Sequence, residues 1–193
     1  MAELPEPLQQ AGEQAQDRAF TRRVALTTAV YAVVLAITSL GGNNATKEML
    51  LAQQQASDQW AFYQAKVIRE HQYRAAALRL DADLIERGDT MPPAARAKYE
   101  ELRAKFAEEE TRYNAEKKDI EKEARKLEHE RDRNKAKDPN FDFAAALLQI
   151  AIVVASVGIL STSRILFGLS TVFAVVGTLL GLNGYLLLVP VPF

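Results

Sequence analysis

The stretch FAAALLQIAIVVASVGILSTSRILFGLSTVFAVVGTLLGLNGYLLLV, residues 143–189, carries one formal charge, Arg164, and decides the fold class. It holds two apolar runs, 143–160 and 165–189, separated only by Ser161, Thr162, Ser163 and Arg164. A soluble core rarely needs two such runs back to back, whereas each is long enough to cross a hydrocarbon layer of about 30 Å as a helix. The second would reach roughly 37 Å if straight, so it must tilt or protrude, and Pro190 and Pro192 are expected to end it. Before the first run, Asp138 and Pro139 read as the N-cap and first helical position of a span over 139–160, because proline there loses no internal hydrogen bond.

Working back toward the N-terminus, a third uncharged run covers residues 24–40, which sets a membrane helix over 24–42 behind a polar segment, 1–23. Arg18, Arg22 and Arg23 before it and small residues after it also fit a secretory signal. The long, partly acidic leader, with Glu3, Glu6, Glu13 and Asp17, favours an uncleaved anchor.

Between the first and second runs lies a charge-dense insert, residues 43–138. It contains 20 of the 24 Lys and Arg residues and 19 of the 25 acids, counted over 46–137, so it is nearly neutral despite its charge density. That balance excludes the one-sign footprint of a nucleic-acid binder. Helix breakers concentrate at 88–93, in Gly88, Asp89, Thr90, Pro92 and Pro93, which divides the insert into arms over 45–87 and 93–137 about a turn at 88–92. Asn44 can cap the first arm, and Asp89 or Thr90 the second. Each arm is about 65 Å long as straight helix. The expected architecture is therefore an all-α membrane protein, with three transmembrane helices and a long antiparallel, coiled-coil-like helical hairpin inserted between the first and second.

Periodicity proposes how the arms touch, since a helical seam needs apolar residues about every 3.5 positions. Tyr99, Phe106, Tyr113, Ile120 and Leu127 recur every seven residues, but only Leu102 joins them on the companion line, which continues Glu109, Glu116, Glu123 and Glu130. The first arm offers Met49, Ala52, Ala56, Trp60, Tyr63 and Val67, then Ala75, Leu78, Ala82 and Ile85. Folding about Thr90 sets Trp60 opposite Ile120, Val67 opposite Tyr113 and Leu78 opposite Leu102. The candidate seam is Trp60, Tyr63, Val67, Leu78, Leu102, Phe106, Tyr113, Ile120 and Leu127. It is narrow, and Phe62, off its face, is a candidate subunit contact. Pairs four apart, Glu101 with Lys105, Glu108 with Arg112 and Glu121 with Arg125, each add about 0.2–0.5 kcal/mol of local support.

Inside the membrane, helices associate by close backbone approach, so small residues should line the contacts. Ser170, Ala174, Gly177, Gly181 and Gly184 form such a seam on the third run, and Ala144, Ala151, Ala155, Gly158 and Thr162 a stripe on the second. The two stripes are expected to pack on each other. Gln149 and Asn183, the only carboxamides deep in these runs, are expected to tie helix to helix. No run contains a buried acid or base of the kind that proton relays and voltage sensors use, which disfavours a pump or ion-coupled transporter acting alone.

Enzyme chemistries fail for want of groups at the right spacing, and no catalytic residue, cofactor or metal site is expected. Cysteine is absent. His129-Glu130 begins like a zinc-helix motif, but Arg133 stands where the second histidine is required, and His71 sits on a polar helix beside Glu70 and Arg74. Glu108, Glu109 and Glu110 diverge by about 100° per residue on a helix and cannot converge on one ion.

The segment Ala56-Ser57-Asp58-Gln59-Trp60-Ala61-Phe62-Tyr63-Gln64-Ala65-Lys66, following Gly41-Gly42-Asn43-Asn44-Ala45, resembles the bacterial domain-of-unknown-function family 4337. The resemblance implies an uncharacterised membrane protein of the bacterial inner (cytoplasmic) membrane, with no catalytic residues to carry over. Arg18, Arg22, Arg23 and Arg164 would hold the N-terminus and the tight turn in the cytoplasm and the hairpin in the periplasm, while Arg131, Arg133, Lys135 and Lys137 argue the reverse. The first helix usually dominates. Two functions remain. One is a structural or interaction protein, embedded in the lipid bilayer as a homo-oligomer and meeting a protein partner through the hairpin. The other is a pore or stator-like accessory subunit, because the layout is similar to motor subunits related to the biopolymer-transport proteins; Thr171, Thr178 or Asn183 would line such a pore.

Overall fold

The computed structural model describes residues 6–189, and their side chains from residue 16 onward; Pro190 and Pro192 lie outside it. The described residues form three helices: α1, Glu6–Arg87; α2, Pro93–Leu160; and α3, Arg164–Leu186. No strand occurs among them. Each helix contains an apolar window long enough to cross a membrane.

Two breaks expected from composition are absent. Helix α1 passes through Gly41, Gly42, Asn43 and Asn44 without interruption, so Asn44 caps nothing. Two adjacent glycines cost a helix about 1 kcal/mol each relative to alanine, yet here bare backbone is what packing requires. A Cβ on Gly41 would lie 2.5 Å from Tyr185 Oη and 2.7 Å from the Phe141 ring. Helix α2 likewise runs through Asp138 and Pro139. Proline removes one ladder bond, but neighbouring groups keep the turn in place: Asn140 Nδ2 donates to Ala136 O at 3.1 Å, and Thr46 Oγ1 donates to Asp138 Oδ1 at 3.0 Å. Asp138 therefore serves as a cross-helix acceptor, not an N-cap.

The break at 88–92 is where the residues place it. Gly88 N donates to Leu84 O at 2.9 Å, and Thr90 N and Met91 N donate to Arg87 O. Thr90 Oγ1 also donates to Arg87 O, so it closes α1 and does not cap α2; Ala95 N and Arg96 N instead reach Pro92 O. The second turn carries a Schellman closure: Ser163 N donates to Gly158 O and Thr162 N to Ile159 O, with Thr162 in the left-handed region at φ 49°. Ser163 then caps α3, accepting from Leu166 N.

The chain divides into two compact units, one formed by 1–49 with 132–193 and the other by 50–131. In the first, Tyr31, Leu148, Ala151 and Ala174 form a buried cluster, flanked by Val34, Leu35, Ile152 and Phe173. In the second, α1 and α2 pair along their length, the partner's number on α2 falling as that on α1 rises: Trp60 with Glu128, Lys66 with Glu116, Arg74 with Glu110, Asp81 with Arg103. Trp60 donates to Glu128, just over two turns beyond Ile120, and lies under Arg125, while Tyr113 stacks on Tyr73, six residues beyond Val67. Folding evenly about Thr90 takes no account of two polar demands that the observed pairing meets. The indole N–H needs an acceptor, and Glu70 needs donors.

Candidate interaction site and its polar joints

Every seventh residue along α1 in the second unit, Ala56, Tyr63, Glu70 and Ala77, keeps one line against α2, and Glu70 is 1% exposed. A carboxylate can occupy such a position only if its lone pairs are met. Lys117 Nζ donates to Glu70 Oε2, Asn114 Nδ2 donates to Oε1 at 2.9 Å, and the Arg74 guanidinium lies 3.8 Å away. The bond from Lys117, then that from Asn114, hold the Glu70 carboxyl below the usual carboxylate range. The seam was expected to leave this line and pass through Leu78; Leu78 is instead 62% exposed and Ala77 is buried. A three-four count through apolar residues alone passes over Glu70 and falls off the buried face beyond it.

One turn along, Tyr73 stacks on Tyr113 at 5.6 Å and lies 5.8 Å from Phe106. Arg69 Nη1 donates to Tyr113 Oη at 3.3 Å, and the Arg112 guanidinium and Lys66 ammonium sit 4.9 and 5.0 Å from its ring centre. Arg69 first, then Arg112, draw the phenol of Tyr113 below its ordinary value. Arg69, Gln72, Tyr73, Ala76, Phe106 and Tyr113 bound a cleft of about 340 Å³. These contacts join cations to aromatic faces and pin the two helices in register. His71 and His129 are both exposed.

Of the remaining seam candidates, Tyr113 and Leu127 are buried, and Trp60, Tyr63, Val67, Leu102, Phe106 and Ile120 are half-buried. Phe62 is 52% exposed, with Lys66 Nζ 5.2 Å over its ring. Glu121 does pair with Arg125, whereas Arg112 reaches Glu109 and Glu116 and not Glu108, and Glu101 takes Lys98. Glu70, Tyr73, Ala77, Ala124 and Lys117 are the contact residues that apolar periodicity passed over; the unbroken sevenfold spacing from Ala56 to Ala77 carried the missing signal.

In the first unit, the buried residues of α3 are Ser170, Ala174, Gly177, Gly181 and Gly184. A Cβ on Gly177 would stand 3.0 Å from Ala144 O, one on Gly181 3.1 Å from Thr38 Oγ1, and one on Gly184 2.9 Å from the Phe141 ring. Ala144, Ala151, Ala155 and Gly158 are buried on α2, while Thr162 is exposed in the turn. Polar joints cross the same contacts: Tyr31 Oη donates to Thr171 Oγ1 at 3.0 Å, Tyr185 Oη to Ile37 O at 3.0 Å, and Asn183 Nδ2 to Asn140 Oδ1 at 2.7 Å. Asn140, 1% exposed, went unnoticed because it lies before the apolar run begins. Gln149 is exposed.

These features define an all-helical protein whose three helices are each long and apolar enough to cross a membrane. The chain belongs to the family described as Domain of unknown function (DUF4337), which matches residues 20–187. No curated protein and no solved structure matches it.

Proposed function

We propose that this protein is a structural or interaction component of the bacterial inner membrane, an oligomer anchored by three spans that presents the paired charged segments as an antiparallel helical hairpin to a protein partner. The observation that carries this reading is the apolar surface left on α1 within the charged unit. Ile85 is 88% exposed, and Leu78, seven residues before it on the same helical face, is also largely open. With Ala75 and Ala82, also exposed, they make one contiguous apolar stripe, and exposed apolar surface that is continuous in this way marks an interaction site. Meanwhile two of the carboxylates that could act chemically are bound to lysines, Glu70 to Lys117 and Glu116 to Lys66. The hydroxyls and carboxamide that a pore lining would need are also engaged within the chain: Thr171 and Thr178 donate to Phe167 O and Ala174 O, and Asn183 bonds Asn140 and Val189. This favours assembly over conduction. The arginines that flank the first span give the reading its orientation, with the hairpin in the periplasm.

The test places a photo-crosslinking residue at Ile85 or Leu78 of the full chain in native membranes. The reading expects one discrete heterologous adduct from these positions and none from exposed Lys118. Adducts absent from all three sites, or ion flux through the purified protein in liposomes, would replace it with the pore reading.

A further inference from the structure

We infer that a second copy of this chain docks on the α2 face centred on Gln149. Gln149 lies near the middle of the apolar stretch 143–160, points outward, and makes no hydrogen bond to any described residue. Hydrocarbon offers its carboxamide neither donor nor acceptor, so leaving it there forfeits every hydrogen bond that it makes in water. Several other polar side chains of the spans avoid that loss internally: Ser156 donates to Ile152 O, Thr178 to Ala174 O, and Tyr31 to Thr171. Gln149 has the length to reach outward, and its neighbours leave room. With Ala146, Ile150, Val153 and Val154 it borders an open groove of about 390 Å³.

The chemistry selects the occupant. A carboxamide is at once donor and acceptor, so two of them facing each other across a two-fold axis satisfy one another, and no other group need be supplied. Ala146, one turn away, lets the backbones approach. A lipid tail fills the groove but leaves the amide unmet. The contact deepens the oligomeric part of the function proposed above; partner capture through α1 can succeed or fail without it.

Because the chain lacks cysteine, single cysteines report proximity directly. Cysteine at Ala146 or Val153, with Gln149 intact, is oxidised in membranes containing the full chain, alongside a control at Leu179, which is 61% exposed on α3. Disulfide dimers should form at both α2 positions at least about fivefold faster than at Leu179, and adding Gln149→Leu should cut the Val153 yield about tenfold, while Gln149→Asn keeps most of it. Equal yields at all three positions, no dimers at any, adducts to another protein, or a Val153 yield indifferent to Gln149→Leu would each overturn the proposal. Unchanged helicity and melting of the Gln149→Leu chain separates lost docking from lost folding.

Discussion

The carboxylate of Glu70 lies against the ammonium of Lys117, with 2% and 18% of the two side chains exposed. A charge pair so enclosed gains little over an apolar pair of the same volume, because desolvation offsets most of the attraction. Breaking it from one side is another matter. Lys117→Met leaves the carboxylate with only Asn114 and the more distant Arg74, and should lower the local stability of the second unit by about 1–3 kcal/mol. Hydrogen exchange over residues 60–80 and 110–120 reads this, and adding Glu70→Leu to Lys117→Met should restore most of the protection.

Acid tests the same joint. The folded carboxyl of Glu70 titrates below its ordinary 4.5, so its contribution is complete above that value and is lost as pH falls through it toward the folded one. Glu116, lowered by Lys66, has the same sign. Melting temperature followed by circular dichroism should drop below about pH 4.5 for the native chain, and more gently for Glu70→Gln. Equal slopes would show that Glu70 is not the group responsible.

Glycines on α3 divide into those that must be bare and one that need not be. Gly184→Ala drives a methyl to 2.9 Å from the Phe141 ring, and should cost about 1–3 kcal/mol. Gly168 has nothing within 4 Å, so Gly168→Ala should be neutral or stabilising by up to about 1 kcal/mol through helix propensity. Thermal melting of the two purified variants in one lipid mixture should separate them in opposite directions.

Thr162 pays for its turn with a left-handed backbone at φ 49°, a conformation that only glycine adopts freely. Thr162→Gly should therefore stabilise the α2–α3 connection by about 1 kcal/mol, and Thr162→Val should weaken it. A rise in melting temperature for the first and a fall for the second check this.

The three helices long and apolar enough to cross a membrane could be read because hydrocarbon imposes one simple demand over a long window, and the stripe from Ser170 to Gly184 because small residues are conspicuous among Leu and Val. The turn at 88–92 was equally plain, since Gly88, Pro92 and Pro93 have no comfortable place in a helix interior. Asn44 and Pro139 misled because local propensity is worth about 1–3 kcal/mol, and packing against Phe141, Tyr185 and Asn183 outweighs it. The register was hidden for a different reason. It rests on Glu70 and Trp60 finding specific hydrogen-bond partners, and hydrophobic periodicity carries no information about partners.

Asn183 spends both amide hydrogens at once, one on Asn140 Oδ1 and one on Val189 O, while its oxygen accepts from Val189 N at 2.9 Å. The loop that closes α3 is thereby tied to a side chain of the preceding helix. The bonds to Val189 lie within α3 and its own closing loop, whereas the bond to Asn140 forms only when α2 stands alongside. The end of α3 can therefore order itself alone but keeps one amide hydrogen unmet until α2, the helix made before it, is beside it.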